Sequence, residues 1–318
     1  MIMATGSSNS RVEAYKEKWG PKIDRYKRVW GRFAQHRLGV IGLFILVMYV
    51  MWAIAPGWFA PHSTEWTAYL GTEPGRMTSQ QIDSLPHPPA FGDPFFAPMG
   101  TTDQGADVMT ELVYSAQNAM YIALAAGLLS SLVGVPLGLI SGYYGDTWID
   151  ESIQRLADIT YGLPFLPLLI VLVAIRGVST TNIILGIVVK SWVNNCIIIR
   201  GETLSLKERS YVESAKVAGA SDTRVIFRHI LPNVLPLTFV YLAQDAAGAI
   251  LAEASLAYLG LSDFTAYSWG IMLEQIQNRG FVFEAWWWLL PPGIAITMIA
   301  GAFYFIGFSM EDVANPQR

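Results

Sequence analysis

The stretch YVESAKVAGASDTRVIFRHILPNVLP occupies Tyr211–Pro236, charged and well punctuated between long apolar runs. Arg209, Glu213 and Lys216 recur at i, i+4 and i+7, one helical stripe of mutually compensating charge. Tyr211, Ala215 and Ala218 make the neighbouring stripe, small and apolar, so that another surface can approach closely. Gly219 falls where the residue after a helix turns left-handed. Ser221 and Asp222 then offer an N-cap for a second short helix, whose apolar face is Val225, Ile226 and Ile230. Pro232 and Pro236 bracket the start of the next apolar run. The pattern predicts helix, glycine turn, helix and membrane, with the polar pair on the membrane surface where a partner can touch it.

Outward from this segment the chain is committed to lipid. Of its 318 residues 53% are hydrophobic and 14% charged, against about 25% charged in soluble domains. A net charge of −4 gives no electrostatic footprint for nucleic acid. Cys196 is the single cysteine, so no intramolecular disulfide forms, and its apolar surroundings predict a buried, inert thiol. His36, His62, His87 and His229 lack metal-ligand spacing, and no G-x-x-x-x-G-K-[ST] phosphate loop occurs. The chain is therefore expected to bind no cofactor and to be no enzyme by itself.

A spanning helix needs about 20 apolar residues. Six candidates follow: 38–55, 116–142, 153–175, 182–199, 235–259 and 288–308. The first apolar run follows a long basic stretch and reads as a retained first span rather than a cleaved signal. Spans of this length without amphipathic periodicity argue against a soluble all-α protein. Nearly all Lys and Arg residues fall in the N-terminal tail, in the 200–228 connection, at Arg155 and at Arg318, with Arg76, Arg176 and Arg279 on the other side. The positive-inside rule puts both termini and the quoted segment in the cytoplasm.

The tail over 11–37 mixes these basic residues with Tyr15, Trp19, Tyr26, Trp30 and Phe33, the composition of an interfacial helix or of a solvated basic arm. Residues 57–111 form a long external segment rich in Pro, Gly and acidic side chains, irregular by its punctuation. Its acidity suits either partner docking or plain solvation.

Ionisable groups within spans cost about 2.5–3.5 kcal/mol each and need partners or a wet cavity. Lys190 and Asp245 sit at comparable depth, so they are expected to pair or both to line a pore, with Asn194 and Asn195 adding polar surface. Glu253 lies nearer the external end and serves structure or gating. Pro164 and Pro167 are expected to kink the third span. Gly134, Gly138 and Gly142, and the small run Ala243, Ala246, Ala247, Gly248, Ala249 and Ala252, permit tight packing, the latter beside a translocation path.

The spacing Glu213-Ser214-Ala215, Gly219, Ile230-Leu231-Pro232 resembles the EAA loop of ABC-transporter permeases. GTTDQGADVMTELVYSAQNAM (Gly100–Met120), SGYYGDTWIDESIQRLADI (Ser141–Ile159), ILAEASLAYLGL (Ile250–Leu261), SWGIML (Ser268–Leu273) and the terminal GFSMEDVANPQR are similar to the C-type permease of dipeptide and oligopeptide importers. The resemblance runs from Phe33 to Arg318. Ser214 stands where Ala is usual, Ala106 where Arg is frequent, and Gly307-Phe308 where Gly-Asp is usual.

The resemblance implies an all-α integral membrane protein of the plasma (inner) membrane, with the six-helix type I importer fold. Its domains would be a tail (1–37), a first transmembrane helix (38–56), an external loop (57–111), a five-helix core (112–310) with a coupling segment (209–232), and a C-terminal tail (311–318). ATPase coupling would fall on Arg209, Tyr211, Glu213, Ser214, Ala215, Lys216, Ala218, Gly219, Ala220 and Asp222. The implied partners are a homologous second permease, two ATPase subunits carrying ATP-Mg, an external substrate-binding protein and lipid. Di- or oligopeptides are the implied cargo. Oligosaccharides or nickel chelates on the same machinery, and a membrane scaffold without transport, stand as alternatives.

Overall fold

The computed structural model describes residues 30–65, 86–91, 97–263 and 265–314, with the backbone alone for 312–314. The expected interfacial helix over 11–37 lies mostly outside these residues. Its end is described: 30–33 are helical, and the Trp30 and Phe33 rings stack 5.8 Å apart.

Among the described residues the chain is helical and carries no strand beyond isolated bridges. Eleven helices are named here in order: α1 Arg37–Ile54, α2 Pro56–Phe59, α3 Val108–Tyr143, α4 Trp148–Gly162, α5 Phe165–Arg176, α6 Thr180–Lys207, α7 Ser210–Val217, α8 Asp222–Val225, α9 Leu231–Tyr258, α10 Trp269–Arg279 and α11 Trp286–Ala314. Five stretches are long and apolar enough to cross a membrane, and the α4–α5 pair makes a sixth if counted as one broken span. The end of the bundle holding Arg200, Arg209 and Arg224 is called the basic end below. The end holding Asp103, Asp107 and Glu111 is called the acidic end.

The fourth span runs on to Lys207 and the sixth covers Trp286–Ala314, both longer than expected, and three further differences bear on the site. The second span starts at Val108 rather than near residue 116, because Asp107 caps the helix: its Oδ2 accepts from the Thr110 amide at 2.7 Å and hydroxyl at 2.6 Å. A charge-free criterion had stopped at Glu111. The second short helix is not set apart from the fifth span. From Asp222 to Tyr258 the chain is one span-length helix of 37 residues, about 55 Å long at 1.5 Å per residue. A π-helical turn at Ile226–Ile230 joins its parts, where Pro232 lacks the N–H that would meet the Arg228 carbonyl. Third, α10 is a separate helix at the acidic end, which the sequence reading had not marked.

The third span is not one kinked rod. It breaks into α4 and α5, set at 90° to each other. Pro164 forces the residue before it out of the helical region, and Leu163 is extended at φ −78°, ψ 129°. Pro167 lies within the first turn of α5, where a missing N–H costs nothing.

The centre of the bundle is the crossing of α3 on α6. A methyl group on Gly138 would lie 2.6 Å from the Cys196 carbonyl oxygen, and one on Gly142 would lie 2.7 Å from that of Arg200. Gly134 stands equally close on the Trp192 carbonyl. The glycines step by four, and so do their partners, so the two helices run parallel with backbones nearly touching. Lipid tails are as apolar as leucine, so such close packing, rather than exclusion from water, holds helices together in a bilayer. The span-five small residues do similar work: Ala243, Ala246, Ala247, Ala249 and Ala252 are buried within this chain, against α3 among others. Gly248 has open space instead. At the acidic end Trp269 of α10 ties the layers together. Its indole N–H donates to the Leu112 carbonyl at 2.9 Å, and its ring meets Tyr49 of α1 edge-on at 5.4 Å.

Leucine at Gly138 is expected to force α3 and α6 apart and to cost about 1–3 kcal/mol or more, the range for overpacking a tight site. Thermal unfolding of the detergent-purified protein checks this. Leucine at Gly293, which faces open space, should leave the midpoint nearly unchanged.

Candidate functional site

The surface segment at the basic end is held from one side and open on the other. Val212, Val225, Ile226 and Ile230 are buried together with Leu139, Tyr143, Ile199 and Leu206 of α3 and α6. These four side chains fasten α7 and α8 to the bundle. Each fully buried aliphatic side chain contributes about 1.5–3 kcal/mol where water is the alternative.

Gly219 closes α7 as the sequence predicts. Its φ is +82°, its N–H donates to the Lys216 carbonyl at 2.9 Å, and the Ala220 N–H reaches the Ala215 carbonyl at 3.0 Å. This pair of bonds is the Schellman closure of a helix. Ser221 occupies the N-cap position of α8 but makes no side-chain cap bond.

Asp222 does something else. Its Oδ1 accepts from the Tyr143 hydroxyl at 2.6 Å and its Oδ2 from the Tyr144 hydroxyl at 3.2 Å. Burial and the neighbouring carboxylate push the Tyr144 phenol up. Lys216 is not a free member of a charge stripe: its Nζ sits 4.8 Å from the centre of the Tyr143 ring, a cation–π contact. Tyr211 accepts from the Asn233 amide at 3.4 Å, and the Ser214 hydroxyl turns back to the Ser210 carbonyl at 2.8 Å. Arg209 precedes α7 at its N-cap without a side-chain cap bond.

Away from these anchors the surface is open. Arg209, Tyr211, Glu213, Ser214, Lys216, Ala218, Gly219 and Asp222 are exposed, while Ala215 and Ala220 are half-buried. Two apolar side chains that soluble surfaces avoid stand out there: Val217 at 85% and Phe227 at 62% exposure.

A second polar cluster beside this segment escaped the sequence reading. Asp150, in the first turn of α4, receives Arg200 of α6 in a two-point fork, Nε to Oδ1 at 2.7 Å and a terminal nitrogen to Oδ2 at 2.6 Å. The Ser141 hydroxyl and the Asp146 amide also donate to it. Arg200 was counted among the charges that set orientation, and Asp150 lay unremarked in a loop. Nothing local marks the pair, because its two members are fifty residues apart.

The intramembrane groups are arranged differently from expectation. Lys190 does not pair with Asp245. Its ammonium donates to the carbonyls of Thr160, Tyr161 and Leu163 at 2.9, 2.8 and 2.8 Å. These carbonyls lie where Pro164 breaks the third span; that of Thr160 also accepts from the Leu163 amide, while those of Tyr161 and Leu163 are left for the ammonium. Asp245 accepts from Asn195 at 2.6 Å, and Asn195 is buried. Asn194, the next residue, faces outward. Glu253 is buried and takes the Ser268 hydroxyl at 2.7 Å and that of Ser262 at 3.5 Å. Ser268 in turn caps α10 by accepting from the Gly270 amide at 3.1 Å. Glu253 thus touches the residue that caps α10.

The bundle, with a short helical pair at one end and glycine-packed helices long and apolar enough to cross a membrane, has the architecture of a multi-span membrane protein. The fold is similar to that of a solved structure titled "Inward facing conformations of the MetNI methionine ABC transporter", at TM-score 0.51 and 15% identity, covering 66% of this chain and 97% of that one. The chain belongs to the family of binding-protein-dependent transport system inner membrane components, matched over residues 134–317. Residues 25–82 match the N-terminal TM domain of oligopeptide transport permease C. Relatives include the dipeptide transport system permease protein DppC of Haemophilus influenzae, 35% identical with 91% of this chain and 93% of that protein covered. DppC of Bacillus subtilis is 30% identical over 93% of this chain and 87% of its own length. The oligopeptide permease OppC of Bacillus subtilis is 31% identical, with 93% and 90% covered.

Replacing Lys190 by Met is expected to leave the Tyr161 and Leu163 carbonyls without their donor and to cost about 1.5–3 kcal/mol, the range for a hydrogen bond to a charged group. Asp245→Asn should not rescue it. Unfolding midpoints of the single and double variants decide this. Rescue would restore the pairing that the geometry denies.

Proposed function

We propose that this chain is the permease subunit of an ATP-driven, binding-protein-dependent importer of di- or oligopeptides, and that its basic end faces the cytoplasm with both termini. A homologous second permease completes a twelve-helix pore. Two ATPase subunits carry the ATP-Mg and take the coupling segments, and a substrate-binding protein delivers cargo at the acidic end. On this reading the chain translocates and has no catalytic activity of its own. The names of its relatives support the peptide cargo, and the Lys/Arg distribution supports the orientation.

The observation that carries the mechanism is the two-sided build of the segment after α6. One face is buried on α3 and α6 and pinned by Asp222 to Tyr143 and Tyr144. The other face leaves Val217 and Phe227 in the open. Exposed apolar side chains on a rigid mount are the mark of a protein contact. Because α8 runs through the π-turn into α9, a push on this surface moves the fifth span as one lever. The Asp150–Arg200 fork ties the start of α4 to α6, so the broken span follows. Rigid rotation of packed elements, rather than local bending, is how such a push reaches the far end.

The test is ATP-dependent uptake of a labelled dipeptide by the reconstituted complex, compared with Gly219→Asp. A side chain at φ +82° strains the Schellman turn whatever the space around it, and left-handed backbone costs roughly 1–2 kcal/mol per non-glycine residue. Uptake should fall at least tenfold with the subunit still inserted and the binding protein still loaded. Unchanged uptake would make the segment packing rather than transmission. Uptake of an oligosaccharide in place of peptide would overturn the cargo.

A further inference from the structure

The spans differ in what they leave uncovered. The exposed side chains of α1 from Leu38 onward are all apolar, and so are those of α3 between Leu124 and Ile140. Such faces suit lipid. The open face of α9 has another composition. Tyr241, Gln244, Asp245, Gly248 and Ser255 fall at helical spacing on one side, with Leu251 at its edge, and all five are half-buried. On the other side Ala243, Ala246, Ala247 and Ile250 are packed into the core shared with α3.

Asp245 stands near the middle of α9. A carboxylate at such a depth is costly in hydrocarbon, and it is found facing either a partner or water. One of its oxygens, Oδ2, is held by the buried Asn195 of α6 at 2.6 Å. The other, Oδ1, has no partner among the described residues and is not sealed by packing. No ion pair among these residues reaches Asp245: Lys190 is spent on backbone carbonyls and Arg200 on Asp150. One turn along the same side, a methyl group on Gly248 would meet nothing within 4 Å, so the face stays open beyond the carboxylate. A carboxylate fixed at one oxygen, open at the other and left without a cation by its own chain makes a charged wall.

We propose that this face of α9 lines the water-filled path through the membrane, and that Asp245 selects cargo by charge, passing cationic peptides in preference to anionic ones. The cargo half of the proposal rests on the peptide-importer reading; the path half stands on the open polar face. The selection is Coulombic. A fixed negative charge in a narrow path with low-dielectric walls attracts a lysyl side chain and repels a glutamyl one. Asn195 is the positioning residue, because its amide holds the carboxylate in one orientation at the edge of the packed core.

The experiment uses the assembled complex in vesicles. Uptake of alanyl-lysine and of alanyl-glutamate is measured for wild type, Asp245→Asn and Asp245→Glu, each normalised to binding protein loaded with that peptide. The ratio of lysyl to glutamyl uptake should fall about tenfold in the asparagine variant, the scale of one unit charge met at close range. The glutamate variant should keep most of the wild-type ratio. An unchanged ratio overturns selection by Asp245. Lost assembly, or an equal loss of both peptides, would make Asp245 a contact with the second permease and overturn it as well. A second arm is independent of cargo. Cys196 is the single cysteine and is fully buried, so Gly248→Cys provides one new thiol for a charged methanethiosulfonate reagent. The reagent should add its mass to this chain in the Gly248→Cys complex and not in a Phe44→Cys complex, whose thiol would sit on the apolar face of α1. Protection of both overturns the water-lined face. If wild type hydrolyses ATP but imports neither peptide, the peptide reading has failed, and the thiol comparison still decides the path.

Discussion

The parallel seat of α3 on α6 is the constraint on which the other features rest. Gly134, Gly138 and Gly142 let the two backbones meet at the carbonyls of Trp192, Cys196 and Arg200. Backbone contact at this distance sets the rotation and the register of both helices together. The register brings Tyr143 and Tyr144 to Asp222, and it brings Arg200 to Asp150. Larger side chains on this seam would move all of those partners at once. The seam also encloses Cys196. The thiol is fully buried where the two helices press together.

Broken backbone inside a bilayer is tolerated only when its polar groups are met, and here the Lys190 ammonium supplies most of the donors. Lys190 collects three carbonyls from the end of α4, so an ammonium that would be costly alone and carbonyls that would be costly alone cancel each other. The arrangement leaves the α4–α5 corner outside the close-packed core, with Ile159, Tyr161, Leu163 and Ile175 exposed. Those side chains meet lipid or a second subunit in a membrane. The corner can then change its angle without unpacking the α3–α6 seam, which suits a gate element mounted on a rigid frame.

The two ends of the molecule differ in what they leave open. At the basic end Asp222 is held by two tyrosines and Lys216 lies on the Tyr143 ring, while Arg209, Glu213, Val217 and Phe227 stand exposed. At the acidic end Trp269 packs α10 against α1 and α3, Asp103 is paired with Arg279 and Asp107 caps α3, while the Trp58 and Phe283 side chains stand almost fully exposed.

Much of this was legible in the residues alone. Spans are long apolar runs because the bilayer imposes a length. The turn at Gly219 was readable because only a residue without Cβ rests easily at positive φ. Glycines spaced by four announced a close crossing. What the residues left open was partner choice. Lys190 and Asp245 looked like a pair because their depths match and their charges are opposite. The break at Pro164 created a stronger local demand for donors, and Asn195 stood nearer to Asp245. Asp150 and Arg200 meet only after helices far apart in the chain have packed. Length, apolarity and backbone dihedral preference are local and survive in the sequence. Pairing is a matter of distance in space, and only the tertiary structure decides it.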